Sequence, residues 1–174
     1  MFILQFISKF IKVLRAGESP SLIAGGFTMG FIVGLSPFWT LQNVVILLIA
    51  ILTKVNLSAV FFAVFLFSFI AYLFDPVFHT LGFFLLAKIK LLLPSWIFFY
   101  NLPVAPFTRF NNTLVMGSLA VAVLLAVPVY FLAKKGIVTY RENWGEKLEK
   151  SKFMKAVKGN IIVKWYLKIR DMGV

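Results

Sequence analysis

Between Ser19 and Arg141 the chain carries a single acidic residue, Asp75, within a series of long apolar stretches. A water-soluble domain averages about 45–50% apolar and about 25% charged residues. Here hydrophobic residues make up 61% and charged residues 14%, with 21 Phe among 174 residues. No water-soluble core accommodates that much apolar surface, so the expected fold is an all-α integral membrane protein with one compact membrane domain. The chain has no Cys and one His, which removes disulfides, thiolate metal sites and multi-histidine clusters. No cofactor or metal is expected.

The net charge of +12 is unevenly distributed. Lys9, Lys12 and Arg15 precede the apolar region, and from Gly136 onward the chain holds nine basic and four acidic residues. Basic clusters beside apolar spans mark cytoplasmic flanks facing anionic lipid. No nucleic-acid recognition motif accompanies the charge, so membrane lipid and not nucleic acid is the expected partner. Three regions follow. Residues 1–17 form an interfacial amphipathic helix, with Ile3, Phe6, Ile7, Phe10, Val13 and Leu14 on one face. A cleaved signal peptide fits this segment less well, because charges recur through it. Residues 18–135 form the membrane domain. Residues 136–174 form a basic cytoplasmic tail whose helical face carries Phe153, Val157, Ile161 and Trp165 among Lys152, Lys155, Lys158, Lys164 and Lys168, a pattern suited to lipid headgroups.

In the membrane domain Ser19 and Pro20 read as an N-cap and first helical residue. A helix from Pro20 to Leu35 and another from Phe38 to Thr53 flank a break at Ser36-Pro37. Each is short against the roughly 20 residues a crossing needs, so the two form a broken or re-entrant hairpin with both ends on one side. Gly26, Gly30 and Gly34 share a helix face that admits close approach of another segment or of a second copy. Leu57–Phe74 reads as a full span ending at Asp75-Pro76, so Pro37 and Pro76 are the two expected helix breaks. Val77–Ala87 is read as a partial dip. Leu91–Phe107, interrupted by Pro94, Pro103 and Pro106, reads as an interfacial connection with Trp96 and Tyr100 at headgroup level. Thr113–Ala133 is a further span kinked at Pro128. The whole comprises the N-terminal amphipathic helix, the hairpin, about two to four further membrane helices and the basic C-terminal helix, with both termini cytoplasmic.

Two polar groups stand out. Asp75 and His79 are four residues apart, and on a continuous helix they share a face as a carboxylate–imidazole proton relay or cation site. Alternatively, Asp75 caps a new helix beginning at Pro76 at the membrane surface. Ser36, Thr40, Gln42 and Asn43 surround the hairpin tip, where the N-terminus of the second half-helix favours anions; interhelical hydrogen bonding is the plainer role for the amides. Paired interruptions in membrane helices point to a transporter-like midplane site. Nothing resembles a nucleophile triad, a phosphate loop or a metal-ligand run, so the chain is not read as an enzyme.

Pro20, Ala24, Gly30, Gly34, Pro37, Gln42 and Asn56 resemble the ordered pattern of a bacterial membrane family, the domain of unknown function two-thousand-sixty-two. The resemblance spans about Ser19 to Lys88. Asp75-Pro76 stands where the family has Asn-Pro, and Leu81-Gly82 follows sooner than usual. The resemblance implies a bacterial cytoplasmic-membrane protein and no particular activity. The residues together suggest a transporter- or channel-like protein for an ion, small solute or lipid. The alternative is a non-catalytic scaffold or envelope-complex subunit, partnered by a second copy or another envelope protein.

Overall fold

Helix ends in this chain lie where local chemistry dictates, and the computed structural model describes them for residues 18–144. Helix α1, Pro20–Leu35, opens with Pro20 in its first turn and with Ser19 Oγ accepting from the Leu22 amide at 3.3 Å. It stops because a proline pushes the residue before it into extended backbone: Ser36 lies at φ −96°, ψ 152°. After the turn through Thr40, α2 runs over Leu41–Leu52 and ends where Lys54 adopts a left-handed φ of 55°. Asn56 then caps α3, Leu57–Phe83, its Oδ1 accepting from the Ala59 amide at 2.7 Å. A π turn, Phe84–Lys88, extends α3. A 3-10 turn, Lys90–Leu92, leads into the short α4, Leu93–Tyr100. A second 3-10 turn, Ala105–Thr108, precedes α5, Thr113–Thr139, which Asn112 caps through the Leu114 and Val115 amides.

Helices α1, α3 and α5 pack on one another as the core, and α2 lies outside them. The glycine face sets the register. Gly26, Gly30 and Gly34 lie on the backbone of Asn56, Val60 and Val64 respectively, so α1 and α3 run parallel in step. A parallel neighbour requires a return segment, and α2 supplies it. The Asn56 amide donates to the Leu22 carbonyl at 3.3 Å, which brings both ends of the α1–α2 hairpin to one place. Helix α5 is antiparallel: Gly117 lies against the Phe78 carbonyl near its start, and Ile137 packs with Ile23, Ala24 and Ala59 near its end. Small side chains dominate these contacts, and Phe31 and Phe27 fill the space beside Phe67 with edge-on rings, centroids 4.7 and 5.7 Å apart. Such interfaces gain from close dispersion contact, which does not depend on excluding water.

Among the described residues, Leu57–Lys88 and Thr113–Glu142 are the two stretches long and apolar enough to cross a membrane. Their large side chains turn outward: Phe61, Phe69, Leu73, Leu124 and Phe131 are all exposed. A soluble core helix would bury such residues, whereas lipid accepts them. At about 1.5 Å per residue the 27 residues of α3 extend about 40 Å. Gly34 meets Val64 and Phe67, and Leu35 clusters with Ala71, so the α1–α2 turn lies about halfway along α3.

Three sequence expectations are corrected. Pro76 does not break the chain, because α3 continues through it to Phe83; a proline inside a helix removes one backbone donor, and the apolar residues on both sides hold the helix together. Asp75 is therefore not an N-cap, and Val77–Ala87 is not a separate dip but the upper part of the same helix and its π turn. At the other end α5 does not stop before Lys134-Lys135. It passes them and Gly136 to Thr139, since neither lysine nor glycine interrupts a helix when no proline follows. The second half-helix is also shorter than expected, beginning at Leu41. The amphipathic helix of residues 1–17 and the tail lysines Lys152, Lys155, Lys158, Lys164 and Lys168 lie outside the described residues.

Candidate functional site

The hairpin turn is a small, buried polar cage. Ser36, Thr40 and Asn43 are all under a tenth exposed. Asn43 sits in the first turn of α2, and its Nδ2 donates back to the carbonyls of Pro37 at 3.0 Å and Phe38 at 3.3 Å. Its Oδ1 accepts from Ser36 Oγ at 2.8 Å, with the Ile32 carbonyl at 3.2 Å as the other acceptor within reach of that hydroxyl. Thr40 Oγ1 donates to the Pro37 carbonyl at 3.3 Å. These bonds satisfy carbonyls that the proline break would otherwise leave unpaired, which is the condition for irregular backbone away from water. Ser36, Thr40 and Asn43 are thus committed to closing the turn.

Gln42 behaves differently. It neighbours Asn43 in sequence, yet neither Oε1 nor Nε2 of its amide has a hydrogen-bond partner among the described residues, and both atoms are buried. An unpaired buried amide costs about 1–3 kcal/mol. Thr40, the residue at the cap of α2, makes no side-chain bond to the amides of the first turn. The start of α2 therefore combines a half-helix N-terminus with an amide free both to donate and to accept.

Asp75 and His79 lie higher on α3. Asp75 is half-buried and falls on the stripe of Ala71, Phe78 and Gly82, one turn beyond the level at which α1 ends. Its carboxylate has no hydrogen-bond or ion-pair partner among the described residues. The expected carboxylate–imidazole pair is not formed. Exposed His79 instead meets Thr113 at the start of α5, Nδ1 to Oγ1 at 2.6 Å, because the packing of α5 on α3 offers a nearer partner than the residue one turn back. The two polar groups of the sequence thus occupy different levels. Among the described residues no group of three or more His, Asp or Glu side chains gathers to hold a metal ion.

Sequence reasoning missed two features. At the open end of the hairpin Asn56 Nδ2 donates to Glu18 Oε2 at 2.6 Å, and Arg141 Nη2 donates to the Glu18 carbonyl at 2.9 Å. Glu18, Asn56 and Arg141 thereby tie the starts of α1 and α3 to the end of α5. An Asn before an apolar run signals the cap, but its second partner is 38 residues away. The other is the crossing of α3 and α5 at Gly82 and Gly117, where each glycine lies on the backbone of the opposite helix. Only the pair of helices reveals it.

A family described as "Uncharacterized protein conserved in bacteria (DUF2062)" matches residues 5–144. An uncharacterized protein of Treponema pallidum (strain Nichols) is 24% identical over 138 residues, covering 79% of this chain and 85% of that protein. No solved structure matches.

Proposed function

The chain belongs to the DUF2062 family of bacterial proteins, and on that premise we propose an integral protein of the bacterial cytoplasmic membrane, transporter- or channel-like. It passes an ion, a small polar solute or a lipid headgroup along the tip of the α1–α2 hairpin. The observation that carries this reading is the unpartnered Gln42 amide at the start of α2, near the midpoint of α3. A re-entrant hairpin of that length brings backbone and amide donors to membrane depth, where they meet a polar solute without competition from water. Gln42 is the contact residue on this reading. Ser36, Thr40 and Asn43 hold the turn. Asp75, unpaired among the described residues and one turn above the end of α1, supplies a carboxylate along the route. With α3 and α5 as the two full crossings and the hairpin entering and leaving on one side, both termini face the cytoplasm.

The scaffold alternative drew on the glycine face and on the basic tail. Gly26, Gly30 and Gly34 are in use against α3, so the glycine face no longer supports it, and the tail lies outside the described residues.

The test is flux in proteoliposomes with Gln42→Leu, using rubidium, inorganic phosphate, glutamine and a short-chain fluorescent phospholipid as separate probes. The expected result is flux of one probe by the wild type and its loss in the variant, with helix content unchanged. Equal rates in both proteins, or no flux of any probe by the wild type, would overturn the proposal.

A further inference from the structure

The connection between α3 and α5 lies at the end of the bundle opposite Glu18, Asn56 and Arg141, and Trp96 of α4 organises it. The Trp96 indole N–H donates to the Leu85 carbonyl at 3.1 Å, and its ring lies 6.0 Å from that of Phe110. Phe99 closes on the same Phe110 ring at 6.4 Å. The backbone just before Lys88 and Lys90 is thereby brought beside the backbone just after Arg109. All three cations are exposed. Around them Ile97, Phe98, Phe99 and Tyr100 are exposed as well. No acidic residue occurs between Asp75 and Glu142 to balance the charge. Arg109 is held in the turn before α5 at a left-handed φ of 55°, a conformation that residues other than glycine and asparagine seldom take.

Aromatic residues beside exposed cations, at the end of two spanning helices, match the chemistry of a membrane interface: acyl chains for the rings and lipid phosphates for the cations. We infer that the 84–110 connection is a shelf that binds anionic phospholipid in the leaflet opposite the termini, with Lys88, Lys90 and Arg109 on the phosphates and α4 seated among the upper acyl carbons. The inference rests on the membrane reading above but concerns a different surface from the hairpin. A partner protein with an acidic face is the competing occupant. The continuity of the shelf with the apolar outer faces of α3 and α5 favours lipid.

The experiment uses the full chain with Trp39→Phe, Trp144→Phe and Trp165→Phe, so that Trp96 alone fluoresces. It is placed in phosphatidylcholine vesicles in which a fixed fraction of lipid is brominated phosphatidylglycerol or, in the parallel sample, brominated phosphatidylcholine. Both should quench Trp96. The relative association of phosphatidylglycerol should be at least about threefold higher, given the attraction of each cation for an anionic surface. Lys88→Gln, Lys90→Gln and Arg109→Gly together should bring that ratio to about one while leaving the basic tail intact; glycine at 109 also relieves the left-handed backbone, so the fold is spared. A ratio near one in the unaltered shelf overturns the anionic-lipid assignment. Absence of quenching by either lipid, in protein that still floats with the vesicles, overturns the interfacial placement and points to the partner protein. Protein that does not float overturns the membrane reading and this inference with it.

Discussion

Replacing glycines of α1 one at a time by alanine reads out the α1–α3 register directly. A Cβ on Gly26 would stand 2.5 Å from the Asn56 carbonyl oxygen, about 0.9 Å short of the 3.4 Å at which ordinary contact begins. On Gly34 the nearest atom, the Val64 carbonyl oxygen, is at 2.9 Å, a shortfall of about 0.5 Å. Gly30 is the tightest of the three, meeting the Val60 carbonyl and, at 2.8 Å, the Ala63 Cβ. Gly25, one residue from this face, meets only the movable Val55 Cγ1 at 3.3 Å, and Gly136 meets nothing within 4 Å. Every one of these substitutions gains the helix preference of alanine over glycine, up to about 1 kcal/mol. Overpacking against backbone costs about 1–3 kcal/mol, so Gly30→Ala should lie about 3 kcal/mol below Gly136→Ala, roughly a 150-fold difference in the unfolding equilibrium. Gly26→Ala and Gly34→Ala should fall between them in that order, and Gly25→Ala should be close to neutral. Unfolding by dodecyl sulfate in mixed micelles, followed by circular dichroism, measures the series. If Gly30→Ala and Gly136→Ala unfold at the same detergent fraction, the two helices do not approach backbone to backbone along this face.

Asn56→Asp keeps the cap of α3 but places a second carboxylate against Glu18; it should destabilise by about 1–3 kcal/mol, and Glu18→Gln in the same chain should recover most of the loss, as a double-mutant cycle will reveal. Asn43→Leu removes three hydrogen bonds at once, one each from the Pro37 and Phe38 carbonyls and from Ser36 Oγ, so a loss of about 2 kcal/mol or more is expected in the same unfolding assay. Gln42→Leu removes an amide that has no partner and should raise stability by about 1 kcal/mol even as transport is lost; a destabilised Gln42→Leu would mean that the amide is paired after all. Single cysteines at Phe38 and Trp39, both exposed at the hairpin turn, should resist a membrane-impermeant maleimide from either side of the bilayer, whereas labelling from the face opposite the termini would make α1 and α2 two full crossings.

Much of the fold is legible one residue at a time. Ser19-Pro20 and Ser36-Pro37 delimit α1 because caps and prolines act within a turn or two of the backbone they alter. Asn56 and Asn112, each ahead of an apolar run, mark the starts of α3 and α5 for the same reason. The candidate site was only partly legible. Residues 36–43 are close in sequence, so their proximity at the hairpin tip follows from the turn. Which of them would be spent on the backbone and which left free does not. Ser36, Thr40 and Asn43 face inward to carbonyls the turn exposes, and Gln42, in the same eight residues, does not reach them. The proposed relay between Asp75 and His79 failed because spacing along one helix ignores what another helix brings. Thr113 arrives from 34 residues away and takes the imidazole.

Pro37 and Pro76 make the division clear. The sequence alone determined that the chain belongs in a membrane, since so much outward apolar surface has no stable place in water, and it determined where most helices begin. It could not rank Pro37 against Pro76. Pro37 follows a serine that it holds in extended backbone, and a polar cage from α2 closes the turn, so the helix ends there. Pro76 sits where α5 packs along α3 on both sides of it, with Ala71, Phe78 and Ala122 in one cluster. A proline in a helix interior costs about 3 kcal/mol through the lost donor and the ring's clash with the carbonyl one turn back, and continuous packing on a neighbouring helix outweighs it. Tertiary structure decided that balance, and with it which face the glycines meet and which polar side chains remain unpaired.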